Sequence, residues 1–492
     1  MNKKYDIAII GSGIGGLTIG SLLSKSKKVI VLEKNDFFGG YCSSFRKGGF
    51  KFEAAVQAIN GLKKGSVIRG IFDTSGASKN IDFVQPKHLY RAIFPDYDIS
   101  VPQGDIKKYR DILFSYFPKE KHGIVKLLDT MQHIYSEVNR FFKEKTLKKS
   151  PYLLKFYRKT FKELLDQCIN DKRLKGIISQ YWIYRGVPPS KASCVTFSYI
   201  WYDYTANGNY FPRGGMQNVI NNLVDTIKKN GGNVLRNSRV SEIFLAGDAV
   251  SQIMVEGKGK VSAKTVVSNI DVFKTFDMLT NKTGYIEKYI ENLKANTLSI
   301  STFKIYLGLG FDLKDHGMKD YEIFINPGYD VEAMYKSAIN GIFDKAPYSI
   351  TVYSNLSDSF CRPGNSVLSI GVLSGYEFWS KLSKAEYEKK KEEAADAIIS
   401  KCCKFIPDFR NHIKTKVIAT PLTMERYTGN SRGSVYGWNR KSFSEEVRFL
   451  NPTTPIKNLF LTSQWTKIGG GVTGVLISAD RAHNLIKSGG GQ

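Results

Sequence analysis

Three glycines and one acid carry the first chemical signal. Gly11, Gly13 and Gly16 stand in the spacing GxGxxG, and Glu33 follows 22 residues after the first of them. An apolar run, Tyr5 to Ile10, leads into the glycines, and Leu17 to Leu23 continues with helical spacing. A second apolar run, Val29 to Leu32, ends on the acid. The mechanics suit a dinucleotide. Gly11 permits a tight turn, Gly13 lets backbone approach a pyrophosphate, and Gly16 lets helix and strand pack closely. The helix N-terminus then faces the phosphates, while Glu33 accepts from a ribose hydroxyl and disfavours a 2′-phosphate. Nicotinamide and flavin dinucleotides both fit such a turn. Two further features point to the flavin. Gly39-Gly40 lies just beyond the second strand, where backbone must come close, and the tail Gly469-Gly-Gly-Val-Thr-Gly-Val475 sets a glycine turn at a helix start, with N–H groups to aim at a ring.

Other chemistries find little support. His88, His122, His133, His316, His412 and His483 are scattered, with no Ser-His-Asp or Cys-His constellation. None of the six cysteines forms a CxxC pair, so neither a disulfide framework nor a metal centre is expected. The 492 residues hold 72 Lys+Arg against 45 Asp+Glu, a net charge of +27, yet no nucleic-acid motif accompanies it. Hydrophobic residues at 42% and aromatics at 13% supply a large core. No apolar stretch reaches the roughly 18 residues that suggest a membrane span. The run Ile7 to Leu23 is broken by glycines and reads as folded structure rather than a leader.

The glycine-rich style appears three times, separated by two segments of different character. Residues 85–205 are helical in pattern: Asp105 caps a helix carrying Tyr109, Leu113 and Phe117, and amphipathic stretches follow over Gly123 to Phe142 and Pro151 to Gln180. At Tyr210 the first style returns, with an amphipathic helix to Lys229 and short strands near Val234, Val240 to Leu245, Val250 to Val255 and Thr265 to Ser268. Residues 276–415 are mixed, with β-like runs at Ile300 to Leu309 and Tyr348 to Tyr353 and a charged helix from Lys384 to Cys403. The tail adds a strand, Asn458 to Thr462, a helix from Gly474 to Ile486, and a loose end from Ser488 to Gln492. The expected fold is α/β: a discontinuous Rossmann-like FAD-binding domain of residues 1–85, 205–275 and 416–492, with an inserted α+β substrate domain of residues 86–204 and 276–415.

Five stretches together resemble the flavin amine-oxidase superfamily, and within it the phytoene desaturase, carotenoid isomerase and retinol saturase group. They are the GSGIGGL start, Gly39-Gly-Tyr-Cys-Ser-Ser-Phe45, Tyr210-Phe-Pro-Arg-Gly-Gly-Met216, Ala263-Lys-Thr-Val-Val-Ser-Asn-Ile-Asp271, and the tail from Asn458. Pro421-Leu-Thr423, with Arg432-Gly433 and Tyr436-Gly437, resembles the saturase and isomerase branch. The resemblance implies FAD, with Gly11, Gly13, Gly15, Gly16 and Gly40 around the pyrophosphate. It puts Glu33 and Lys34 at the adenosine ribose, Val240 at the adenine, and Gly471, Val472 and Thr473 along the flavin. Two positions depart from the pattern. Tyr41 stands where many relatives have arginine, so that phosphate contact passes to Arg46 or vanishes. Gln464 replaces an acid at the ribityl chain. Residues 53–57 are expected beside the ring, making Gln57 a candidate polar contact, with Arg213 and Tyr427 as further candidates for the cavity.

The implied activity is FAD-dependent redox chemistry on carbon–carbon bonds of a polyene or isoprenoid lipid: saturation, desaturation or cis–trans isomerisation. A flavin amine oxidase and a non-catalytic flavin- and lipid-binding protein are the alternatives, and the electron donor or acceptor stays open. Between Arg140 and Lys175, twelve Lys or Arg face four Asp or Glu, with Tyr152, Phe156, Tyr157 and Phe161 interleaved. That stretch reads either as a solvated helical cap or as a patch for an anionic membrane surface, from which a polyene would be drawn. The second reading makes the protein cytoplasmic and peripherally membrane-associated.

Overall fold

Lys4–Ile10, from Ile7 onward, and Val29–Leu32 are short strands apolar on both faces, as strands covered on both sides must be. They lie parallel at the heart of a seven-stranded sheet, Ile7 opposite Val29 and Ile10 opposite Leu32. The computed structural model describes residues 4–144, 146–405, 409–439, 442–443, 450–467 and 469–489. Asn233–Leu235, Gly259–Ser268 and Leu459–Leu461 extend the parallel part, and Val240–Ala246 with Ala249–Val255 form an antiparallel flank. This sheet thus gathers strands from three distant stretches of chain. The first helix, Ile14–Ser24, is buried along its whole length, between Met216–Lys229 and the last helix, Gly471–Lys487.

A second seven-stranded sheet runs in the order Ile413–Ala419, Ser301–Leu309, Ser366–Ser374, Tyr348–Val352, Glu322–Ile325, His88–Ile93, Asp98–Pro102. One face packs on helices: the Phe303 ring stacks on Trp379 at 5.3 Å between centroids, both fully buried. Lys121–Glu144, Phe161–Cys168 and Cys194–Asn207 form a helical layer that shares this core.

Several expectations need correction. The amphipathic stretch 151–180 is three short helices, Pro151–Phe156, Phe161–Cys168 and Lys172–Ile178, rather than one. Thr160 and Glu163 form a capping box that restarts the chain, and Asp171 caps the next start. Helix Cys194–Asn207, rich in aromatic and β-branched residues, lacked a clear helical signal in the sequence. The boundary at 415/416 falls inside strand Ile413–Ala419, which belongs to the second sheet. The boundary at 275/276 is also early, because helix Gly284–Lys294 buries Ile286, Ile290 and Leu293 against the first sheet's core. The last helix ends at Lys487, and residues 490–492 of the loose end lie outside the described residues.

Phe303→Ala deletes a stacked, fully buried ring from the second sheet's core. It is expected to lower stability by about 3–5 kcal/mol, read as an earlier midpoint in denaturant unfolding.

Candidate active site

A cavity of about 2280 Å³ opens between the first sheet, the second sheet and the helical layer. Drug-sized pockets run to roughly 300–1,000 Å³, so this one has room for a dinucleotide and a second large molecule.

One end is built by the first strand–turn–helix. Gly11 has φ of +92°, a conformation that side chains disfavour, and a Cβ there would come within 2.6 Å of Ile270. Gly13 and Gly15 line the cavity, whereas Gly16 sits behind it, where a Cβ would collide with the Gly11 carbonyl. Gly16 therefore serves close packing of helix on strand. Gly13 is the N-cap of the first helix and supplies no side-chain cap, which leaves first-turn N–H groups for a ligand in the cavity. Gly40 lies across from it, 3.6 Å separating a Cβ there from the Gly13 Cα. Glu33 is buried and accepts from the Ser12 amide at 2.9 Å, the Ser12 hydroxyl at 2.6 Å and the Asn35 amide at 2.9 Å. These bonds fix its carboxylate at the cavity edge with acceptor capacity left over. Lys34 and Val240 line the same end, and burial pulls the Lys34 ammonium below its ordinary value.

Toward the other end, the last helix begins at Gly471 after an N-cap, Gly470, that also supplies no side-chain cap. Gly471, Val472 and Thr473 line the cavity. Thr473 donates to Asn60 Oδ1 at 2.5 Å, and Asn60 donates in turn to Asp203 at 2.5 Å. Asp203 also accepts from Tyr135 at 3.0 Å and Asn207 at 2.8 Å. Gln464 is buried beside this turn and donates to the Ser434 carbonyl at 3.0 Å.

Gln57 lines the middle of the cavity, its side-chain amide donating to Ser349 at 3.2 Å and its backbone carbonyl accepting from Tyr321 at 2.6 Å. Beside it stands Lys304, 3% exposed, on strand Ser301–Leu309, second in the sheet. Its ammonium makes one long hydrogen bond, 3.4 Å to the Ala55 carbonyl. Burial pulls it down to about 8, against the opposing pull of Glu322 and Glu53. The two glutamates are themselves fully buried, and burial pushes each up to about 7. Glu53 accepts from Ser44 at 2.7 Å and from the Met216 amide. Glu322 is fixed by no such bond: both its carboxyl oxygens lack a hydrogen-bond partner.

Two candidates lie elsewhere, and a third borders the cavity away from its middle. Arg46 is exposed on strand Ser44–Lys47 and does not line the cavity, so it does not take over from Tyr41. The Tyr41 hydroxyl is itself committed to the Ser434 carbonyl at 3.0 Å. Arg213 forms a surface ion pair with Asp82 at 2.9 Å, since the tight glycine turn after it directs the side chain outward. Tyr427 is 45% exposed and borders the cavity at the Lys34 end, its carbonyl accepting from Asn35, away from Gln57. Lys304, Asn60, Asp203 and Glu322 were not singled out from sequence. A lysine in an otherwise apolar strand, Ser301-Thr-Phe-Lys-Ile-Tyr306, was the available signal for the first. Asn269 places its carboxamide against Gly13 and Gly15 with Oδ1 unpartnered.

The cradle fits a dinucleotide on these grounds: two helix starts without side-chain caps, an anchored acid at one end, and an unpartnered carboxamide beside the glycines. A family model described as flavin containing amine oxidoreductase matches residues 14–300. All-trans-retinol 13,14-reductase of Danio rerio is 26% identical, the alignment covering 96% of this chain and 85% of that protein. Prolycopene isomerase 1, chloroplastic, of an Oncidium hybrid cultivar is 27% identical over 97% of this chain and 82% of its own. Among solved structures, an oxidoreductase from Methanosarcina mazei superposes with a TM-score of 0.67 at 15% identity, covering 99% of this chain and 100% of that one.

The buried glutamates make stability depend on pH. With folded values raised from 4.5 to about 7, Glu53 and Glu322 bind more protons folded than unfolded across that window. Their contribution to stability is complete below pH about 4.5 and is lost as pH rises through about 7. Glu322→Gln is therefore expected to gain on the wild type in melting temperature between pH 5 and pH 8. A constant offset across that range would contradict the assignment.

Proposed function

Because the chain belongs to the flavin containing amine oxidoreductase family and its cofactor is FAD, we propose that it is an oxidoreductase acting on carbon–carbon bonds of a polyene or isoprenoid lipid. The observation that carries this reading is the continuation of the cavity beyond the dinucleotide cradle. There it is walled by Ile183, Tyr184, Val195, Ile200, Tyr204 and Tyr436, a lining suited to a long apolar molecule. Two relatives are named for polyenes, all-trans-retinol and prolycopene.

FAD, when bound, supplies a two-electron carrier that exchanges hydride with carbon. The chain's own residues hold and orient. Glu33 and the Gly11–Gly15 turn take the adenosine and pyrophosphate, and Gly471 to Thr473 present the last helix's N–H groups to the ring. The Thr473–Asn60–Asp203 string fixes that helix start to helix Cys194–Asn207, which forms a wall of the substrate space. The aromatic lining keeps water from the reacting carbons. Lys304, beside Gln57, puts a buried amine within the middle of the cavity wall.

The test is an anaerobic visible spectrum of the purified flavoprotein, before and after mixing with liposomes carrying phytoene or retinol. Bleaching by the lipid supports desaturation; turnover only from pre-reduced protein supports saturation or isomerisation. Peroxide release with amines, and no response to any polyene in either redox state, would overturn the reading in favour of an amine oxidase.

We also propose that the cavity mouth rests on an anionic bilayer. Lys63, Lys64 and Lys143 border the cavity and are exposed, together with Val67, which is 70% exposed, and the partly buried Phe141 and Phe142. Cations beside protruding apolar groups suit a headgroup boundary. Among the described residues no helix is long and apolar enough to cross a membrane. Of the basic stretch 140–175, Phe141, Phe142 and Lys143 reach this mouth, and Lys63 with Lys64 come from a loop outside it. The protein is expected to co-sediment with vesicles containing phosphatidylglycerol and not with pure phosphatidylcholine. Lys63→Glu with Lys64→Glu should weaken that binding at least tenfold; unchanged binding would refute the placement.

A further inference from the structure

The cavity-facing side of the second sheet carries a buried polar row that the reading above leaves unused. Strand register sets Tyr306, Ser369, Thr351 and Glu322 side by side across four adjacent strands. The neighbouring row runs Lys304, Gly371, Ser349 and Phe324, so Lys304 stands one position along from the start of the first row. All members of the first row are fully buried, yet the Ser369 hydroxyl, the Thr351 hydroxyl and both Glu322 oxygens lack hydrogen-bond partners. Tyr184, whose ring lines the cavity, also has a buried, unpartnered hydroxyl, and it faces Glu322 without closing a bond of ordinary geometry. So many bare polar groups in one place are rare in folded proteins and call for a partner. Water is the partner that suits them: it needs two to four polar neighbours, and carboxyl, hydroxyl and phenol groups supply them here.

We propose that ordered water along this row joins Glu322 to Lys304, that the two groups share one proton, and that Glu322 is thereby the positioning residue that sets the charge of the amine in the cavity wall. The transfer is balanced within the pair: carboxylic acid and neutral amine become carboxylate and ammonium, with water passing the proton on and none gained or lost. Lys304 is the one cation that acts on Glu322 among the described residues. The other ionisable groups near Glu322 are phenols: Tyr181 and Tyr184 from the helical layer, Tyr204 from helix Cys194–Asn207, Tyr321 and Tyr353 at the strand ends, and Tyr436 from the C-terminal segment. Burial holds every one of them above its ordinary value, so none competes near neutral pH. Glu53 acts on Lys304 from strand Phe50–Glu53.

This inference deepens the proposed function and rests on it for its consequence. Saturating or desaturating a carbon–carbon bond moves one proton for each hydride, whereas redox-neutral isomerisation moves no net proton. A proton store behind a dry cavity wall therefore favours a net redox reaction over isomerisation.

The decisive experiment is an infrared pH titration of the purified holoprotein, following the protonated-carboxyl band in the wild type, Glu322→Gln, Glu53→Gln and Lys304→Met. Glu322→Gln should abolish one buried band and Glu53→Gln the other. Lys304→Met should move the Glu322 midpoint upward by about one pH unit, because among the described residues it removes the cation that favours the ionised carboxyl. Thr351→Val keeps both ionisable groups, removes a water anchor, and should shift the same midpoint even if Glu322→Gln fails to fold. An unmoved Glu322 midpoint in both Lys304→Met and Thr351→Val would overturn the shared proton. Because no polyene is present, this outcome is independent of the functional reading, which fails instead if the wild type turns over no polyene. With polyene present, a tenfold or greater loss of net hydrogen transfer in Glu322→Gln, with a flattened pH profile, is expected; an unchanged profile would overturn the role assigned to Glu322.

Discussion

Of the helices that start on glycine with no side chain to cap them, the first and the last open onto one cavity. Each leaves backbone N–H groups that the protein alone does not satisfy, and a buried helix end without partners is costly. The surrounding architecture follows from that requirement. The first helix must lie close enough to its strand that no side chain fits at Gly16, and it must be held from behind, which Met216–Lys229 and the last helix do. The acid at Glu33 must be fixed before any ligand arrives, and the Ser12 amide and hydroxyl fix it. The fold of the first sheet is in this sense the scaffold for a ligand that completes it.

The second sheet meets a different demand. A cavity meant for an apolar molecule tolerates few charges, yet Lys304, Glu53 and Glu322 are buried around it. Taking three ionisable groups out of water costs several kcal/mol each unless partners compensate. Glu53 has its compensation in Ser44 and the start of helix Met216–Lys229. The Lys304–Glu322 pair has little from the protein itself, and that concentrates the destabilised part of the structure on the cavity wall, where function tolerates such a cost.

Much of the first unit was legible in the sequence. The glycine spacing, the acid after the second strand and the glycine turn of the tail each impose local geometry that few other sequences meet, and they lie together in space as those rules require. The second unit was less legible. Strands His88–Ile93, Ser366–Ser374 and Ile413–Ala419 pair with partners far along the chain, and nothing local to Ser366-Val-Leu-Ser-Ile-Gly371 says which strands will flank it. Lys304 is a single residue whose meaning depends on which face of its strand meets the cavity, and strand register, not sequence spacing, decides that. The Arg213 expectation failed for a similar reason: its motif was correctly associated with the first unit, but the turn sends the side chain to solvent.

The chain passes between the two sheets four times, near residues 84–88, 207–209, 294–301 and 419–421. Such quadruple stitching distinguishes this molecule from a pair of lobes on one hinge. Lobes joined by a single linker can gape like a clamshell; lobes sewn together along several seams resist that motion. For a long, stiff molecule bound for the interior, entry lengthwise through the cavity mouth is then easier than prying the sheets apart. Which end leads, and how far it advances before the wall stops it, would select the bond that reaches the cofactor, so regiochemistry here becomes a matter of depth, measured like thread drawn through a needle's eye.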